Sequence, residues 1–342
     1  LNRIDYFGEK RTTFFRESLQ MNIVFVGHRC CDHSPSSGYD QVCSIFPEAG
    51  WLDGRAFEDN QIQWHRKAEF GIEETQIFHV FYGDCSGKGL PEILRVRFPK
   101  ASIVSTIHQP VSRLRQDAIA CRAIKNSDGI ITVSKEQVCE LREFELDIPI
   151  FMIPHGVWAK VFRPNIHEQF NRRDVLIVGS FLRDWEGAKK VVKLLTQMGI
   201  RSIALGAGAI ENLINLGSNI EVPPRVSEVE LASLYHRSAA VFLPLTQATA
   251  SNALLEAMAA GCPIICPRMN SLTDEYLGYE SDSFEIGQYE VAAEKILYYI
   301  KNPSARIAKQ NELLKRVEEF DWAYIKERFA RVYQDILSRK SV

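Results

Sequence analysis

The sequence lacks an apolar run near the roughly 18 to 20 residues that cross a bilayer, and its first residues lack the short apolar stretch of a secretory leader. A membrane-spanning or exported chain is therefore not expected. Net charge is nearly absent: 41 Lys and Arg against 43 Asp and Glu leave −2. That disfavours a general nucleic-acid binder, which needs a cationic excess to neutralise phosphates. The eight cysteines, at 30, 31, 43, 85, 121, 139, 262 and 266, include no CxxC pair and no His/Cys ligand spacing. They read as buried thiols in a reducing compartment, with no zinc expected. The expected location is cytoplasmic, with peripheral contact to a membrane left open. No GxGxxG follows the first strand, so a nicotinamide-binding reading loses its main support. Internal repeats and low-complexity segments are missing as well.

What the chain does have is length and a mixed composition: 342 residues, 46% apolar and 25% charged. Such a chain exceeds what one core usually holds, so two domains are expected. The most informative stretch runs from Leu243 to Ser271. The apolar run Ala239 to Leu243, closed by Pro244, predicts a buried strand. Thr249, Ser251 and Asn252 are residues of the kind that cap a helix, here one over Ala253 to Ala260 that Gly261 ends. A helix start at the mouth of a parallel sheet offers free N–H groups and a positive dipole end, which suit a pyrophosphate. Glu256, about one turn in, is placed to accept both ribose hydroxyls of a nucleotide; the plainer alternative is an acid stabilised by the helix dipole.

Strand-like segments recur at Asn22 to Gly27, Ile77 to Tyr82, Ala101 to Thr106, Gly129 to Ser134, Ile150 to Val157, Val175 to Ser180 and Ile264 to Cys266. Helix-capable segments such as Val111 to Asn126 lie between them. This alternation predicts doubly wound parallel sheets with functional loops at the carboxyl ends of the strands. Ser227 with Glu230 three residues on predicts a capped helix.

Glu256-Ala257-Met258-Ala259-Ala260-Gly261-Cys262-Pro263 resembles the second half of the donor-site signature of retaining, nucleotide-sugar-dependent glycosyltransferases with the GT-B fold, glycosyltransferase family 4 in particular. The resemblance extends over roughly residues 22 to 338. It implies an α/β protein with the GT-B fold: two Rossmann-like, doubly wound parallel-sheet domains facing a cleft. The implied division is a 1–20 extension, an acceptor-side domain at 21–155, a nucleotide-sugar-binding domain at 156–320, and a helix at 321–342 crossing back to the first domain. Pro154-His155-Gly156-Val157 resembles the crossing between domains.

The resemblance also distributes roles. Donor contacts are expected from Gly38, Gly179, Arg183, Gly206, Arg225, Val226, Thr249, Ser251, Asn252, Ala253 and Glu256. His108, after the strand at 101–106, matches a histidine beside the sugar, and His108 and Arg183 are the expected catalytic residues. His28, His33, Tyr39 and Gln109 are expected on the acceptor side. The chain also departs from the pattern. Ala248 stands where the family has its first glutamate, Ser180 stands at a phosphate-binding arginine, and the lysine that follows is missing. Arg183 is the expected replacement, because a planar guanidinium binds phosphate oxygens in pairs; Lys189 and Lys190 are weaker candidates. The implied activity is transfer of a sugar from a nucleoside diphosphate sugar to a hydroxyl on a glycan, lipid-linked or small-molecule acceptor, with no metal or other cofactor. A nucleotide-sugar epimerase and a non-catalytic nucleotide-sugar-binding subunit remain as alternatives.

Overall fold

The computed structural model describes residues 21–27, 35–54, 64–165, 172–278 and 282–340. The first sheet contains β1 (Ile23–Gly27), β2 (Gly50–Asp53), β3 (Trp64–Arg66), β4 (Ile77–Val80), β5 (Ser102–Ile107), β6 (Gly129–Thr132) and β7 (Ile150–Met152), in the order β3-β2-β1-β4-β5-β6-β7. All pairings in it are parallel except β2 with β3. The second sheet contains β8 (Asp174–Val178), β9 (Ser202–Leu205), β10 (Ile220–Glu221), β11 (Ser238–Phe242) and β12 (Ile264–Ile265), all parallel, in the order β10-β9-β8-β11-β12. Two doubly wound parallel-sheet domains of this kind are the GT-B fold.

A parallel sheet carries helices on both faces, so its strands are continuous apolar runs rather than alternating ones. The first strand, Ile-Val-Phe-Val-Gly, is buried at every position, and so is the eleventh, Ser-Ala-Ala-Val-Phe. Sequence reading passed over β2 and β3. The first, Gly-Trp-Leu-Asp, has only two apolar residues between a glycine and an aspartate, and the second, Trp-His-Arg on the antiparallel edge, has no apolar run. The segment from 111 to 126 also differs from the expected single helix. It forms Val111–Leu114 and Ala118–Lys125, because the Asp117 side chain accepts from the amides of Ile119 and Ala120 and starts a new helix there.

The chain crosses between domains twice, and the two crossings are bonded to each other. Val157 N donates to Phe320 O at 3.0 Å, and Trp322 N donates to Val157 O at 3.3 Å. The helix Trp322–Lys340 then buries Trp322, Ile325, Phe329, Val332, Tyr333 and Ile336 in the core of the first domain with Phe25, Phe46 and Phe81. Gly156 is required beside it, since any Cβ there would overlap the Trp322 indole. His79 Nδ1 lies 2.7 Å from the Tyr333 hydroxyl, and its Nε2 lies 2.6 Å from Thr106 Oγ1, so the returning helix is also held by polar contacts inside the core.

Strand order reverses between β1 and β4 in the first sheet and between β8 and β11 in the second. Loops at the carboxyl ends of strands flanking such a reversal form the ligand crevice of open α/β sheets. Here the loops of the two domains meet one another directly.

Candidate active site

After β11 the chain passes through Leu243 to Ala250 and starts the helix Asn252–Ala259. Ser251 is the N-cap, its Oγ accepting from Leu254 N at 3.3 Å, and Gly261 leaves the helix at a φ of +60°. Glu256 sits in the second turn and is only 3% exposed. A buried carboxylate is tolerated only if its oxygens are hydrogen-bonded, and each oxygen has a hydroxyl donor. Ser37 Oγ donates to Oε1 and Tyr235 OH donates to Oε2 at 2.8 Å. Burial pushes the carboxyl above its ordinary range, the two hydroxyls pull it back, and the charge of Glu228 raises it further.

Ser37 belongs to the first domain, in the segment that follows β1. Its neighbour Ser36 donates its amide to Glu228 Oε1 at 2.8 Å, so two glutamates of the second domain hold two consecutive serines of the first. A similar contact lies after β5, where the Thr249 hydroxyl donates to His108 O. Farther along the cleft, Glu275 accepts from the amides of Lys135 and Glu136 at the start of the helix Lys135–Arg142.

At the carboxyl end of β8, Gly179 adopts φ +95°, and at the end of β9, Gly206 adopts φ +116°. The two turns face each other: a Cβ on Gly206 would strike Ser180 Oγ and crowd the Gly179 backbone, so only glycine fits there. Ser180 Oγ accepts from Gly208 N at 3.3 Å across the same gap. Arg183 folds back over Gly179. Its Nε and Nη2 donate to Val178 O at 3.3 and 2.9 Å, and Nη1 donates to Phe181 O at 2.7 Å. The loop that carries it is pinned beside the one after β11, through Asp184 N to Pro244 O and Thr246 N to Leu182 O. Burial pushes the guanidinium down to about 10, and its partners are neutral carbonyls; among the described residues it makes no ion pair. Lys189 is committed to Glu186 at 2.7 Å, and Lys190 lies over the Tyr289 ring at 5.0 Å.

The His108 ring lies 4.4 Å from the Tyr39 ring, edge to face, and 4.3 Å from the Tyr82 ring. Its backbone is fixed from three directions. Asp84 Oδ2 accepts from the amides of His108 and Gln109, Thr249 donates to His108 O, and Gln137 Nε2 donates to the carbonyls of Ile107 and Gln109 at 3.2 and 3.0 Å.

The remaining expected residues are distributed as follows. Tyr39 is fully buried, with its hydroxyl turned inward to Thr106 Oγ1 at 2.8 Å and its ring against the His108 ring. The Gln109 side chain accepts from Arg113 Nε at 3.1 Å. Gly38 is buried at φ −65°, a conformation open to any residue, and its neighbour Ser37 reaches Glu256 of the second domain. Arg225 is exposed in the loop after β10, and the half-buried Val226 packs against the core of the second domain. Asn252 and Ala253 form the first turn of the Glu256 helix, and Ala253 O lies 3.4 Å from the Tyr235 hydroxyl. His28 and His33 lie outside the described residues. Ser36, Ser37, Asp84, Gln137, Glu228 and Tyr235 escaped sequence reading. Only the two serines carried a signal, as small polar residues immediately before Gly38.

With this geometry in place, comparison with known proteins shows what the chain is similar to. Residues 160–302 match the family model of glycosyl transferases group 1. The matched span carries both glycine turns, Arg183 and the Glu256 helix. A curated relative, the MMP alpha-(1->4)-mannosyltransferase of Mycolicibacterium hassiacum, is 22% identical over 292 residues, covering 75% of this chain and 70% of the relative. Sucrose-phosphate synthase from Thermosynechococcus elongatus superposes with a TM-score of 0.73 at 15% identity, over 93% of this chain and 100% of that one. A TarM mutant from S. aureus, solved with fondaparinux, alpha-GlcNAc-glycerol and UDP, gives a TM-score of 0.60 at 14% identity, over 76% of this chain and 55% of that one. The structural likenesses establish the fold. The glycosyl transferases group 1 match and the mannosyltransferase relative support glycosyl transfer as the reaction class. Among the described residues no helix is long and apolar enough to cross a membrane.

Proposed function

We propose that this chain transfers a sugar from a nucleoside diphosphate sugar to a hydroxyl acceptor, with retention of anomeric configuration, as in glycosyltransferase family 4. The observation that carries the reading is Glu256: a buried carboxylate on the helix that follows β11, within the matched span, facing a hydroxyl of the opposite domain. In this reading the ribose hydroxyls exchange with the Ser37 hydroxyl at Glu256. The diphosphate lies across the Gly179 and Gly206 turns, where backbone approaches closely and the half-buried Arg183 guanidinium makes no ion pair among the described residues. The TarM structure holds UDP, which makes a uridine nucleotide the first donor to test.

Chemically, the acceptor oxygen bonds to the anomeric carbon as the bond from that carbon to the β-phosphate oxygen breaks. The acceptor proton passes to the leaving phosphate. Charge building on the diphosphate is met by Arg183 and the amides at the start of the Glu256 helix, without a metal. His108 and Thr249, joined across the cleft, border the sugar. The direct contacts between domains at Ser37 and Thr249 mean that the cleft opens to admit donor and closes again to exclude water.

A second reading, a non-catalytic nucleotide-sugar-binding subunit, is favoured by Ala248 and by the Arg183 guanidinium being satisfied within its own loop. A thermal-shift panel of UDP-, GDP- and ADP-sugars, followed by calorimetry on the best ligand, tests donor binding. Stabilisation by one nucleotide series is the expected result; no stabilisation by any of them removes both readings.

A further inference from the structure

We propose that Asp84 is a positioning residue for the sugar end of the cleft, holding the His108–Gln109 segment in register with Thr249 of the second domain. The inference rests on the reading of His108 as a neighbour of the transferred sugar.

The chain after β4 is built to deliver this carboxylate. Phe81 N still donates to Val26 O, at 2.8 Å, and Gly83 N donates to Thr106 O at 2.9 Å, so the strand slides from one neighbour to the other as it ends. Tyr82 takes a left-handed φ of +53°, a conformation that side chains other than glycine rarely adopt. Gly83 presses against Ser105, where a Cβ would not fit. A tight turn follows, with Cys85 N and Gly87 N both donating to Tyr82 O at 3.0 and 2.9 Å. The result is Asp84 at the end of β5, 2% exposed, with Oδ2 accepting from two consecutive backbone amides.

Two amides sharing one carboxylate oxygen form charge-assisted bonds, stronger than neutral ones. They fix the orientation of the peptide planes on both sides of the His108 Cα, hence the direction of its imidazole. The strained Tyr82 places its ring 4.3 Å from that imidazole, so one turn supplies both the backbone clamp and the packing surface. Thr249 then reads the other side of the same residue through His108 O. Closure of the domains is thereby registered on a loop that Asp84 has already set. Burial raises the Asp84 carboxyl to about 6, against the pull of the two amides, so the clamp is in its charged form at neutral pH and weakens as the pH falls toward 6.

The variants are Asp84→Asn, which keeps the shape and one acceptor, and Asp84→Ala, which removes the acceptor. The probes are UDP and GDP for binding, and the nucleotide sugars of the panel for turnover. Backbone amide NMR of the full chain follows His108 and Gln109. In the wild type these two signals are expected downfield and to titrate with a midpoint near 6. In Asp84→Asn they move upfield and no longer titrate. Turnover is expected to fall at least tenfold in Asp84→Ala, partly restored in Asp84→Asn, while affinity for UDP or GDP stays within twofold. Amides unmoved in both variants overturn the clamp. Amides moved with turnover unchanged overturn its functional role. If the wild type turns over no nucleotide sugar, the transferase reading fails, whereas the amide titration still reports whether Asp84 holds the loop.

Discussion

Replacing Glu256 with glutamine separates its charge from its shape. In the folded protein each carboxylate oxygen faces a hydroxyl, Ser37 or Tyr235, and a hydroxyl can accept as readily as donate. The new amide group therefore finds an acceptor by reversal of one hydroxyl, and both contacts survive. Among the described residues no cation pairs with Glu256, so its removal also relieves a buried charge. Glu256→Gln is expected to fold with a melting temperature equal to or slightly above that of the wild type. Nucleotide binding should behave differently. A carboxylate accepting from ribose hydroxyls makes charge-assisted bonds worth about 1.5 to 3 kcal/mol, and at about 1.4 kcal/mol per decade their loss weakens binding about 10- to 140-fold. Calorimetric titration of UDP, or of whichever nucleotide the panel selects, measures this. A folded variant that binds within threefold of the wild type refutes the ribose role, and a variant that fails to fold refutes the exchange of hydroxyl partners.

Arg183→Ala should weaken a nucleoside diphosphate at least tenfold while leaving the nucleoside nearly unaffected, with Arg183→Lys intermediate, because lysine cannot reproduce the fork of donors; equal losses for both ligands, measured by calorimetry, move the phosphate site elsewhere. A pH effect follows from His79, which burial depresses to about 3. A base with a lowered folded value contributes stability that is present above its unfolded value of about 6.5 and is lost as the pH falls through that window toward 3. The contribution is on the order of 4 kcal/mol. Urea midpoints between pH 7 and 3 should fall more steeply for the wild type than for His79→Asn, and parallel slopes contradict the neutral buried imidazole.

The fold was largely legible in the sequence because parallel strands covered on both faces leave unbroken apolar runs, as at Ile23 to Gly27 and Ala239 to Leu243. The gaps have physical causes. The second strand has only two apolar residues, the third sits on the antiparallel edge, and the break at Asp117 depends on one side chain turning to cap a helix. At the site, local chemistry such as the Ser251 cap was readable from neighbours in sequence. The partners of Glu256 were not. Ser37 is 219 residues away and Tyr235 is 21, and no periodicity links them. Asp84 was equally silent, since its role comes from a strand shift and a strained tyrosine rather than from any motif. Arg183 shows the opposite case, a residue conspicuous in sequence whose guanidinium is held within its own loop.

One assay decides whether the chain transfers a sugar. Purified protein is incubated with the nucleotide sugar it binds best, with and without an acceptor-containing extract. Released nucleoside diphosphate is quantified, and the new glycosidic bond is assigned by NMR. Acceptor-dependent release of nucleoside diphosphate is expected, with a product that keeps the anomeric configuration of the donor. Tight donor binding with no release under any condition would contradict it and leave a nucleotide-sugar-binding subunit in its place.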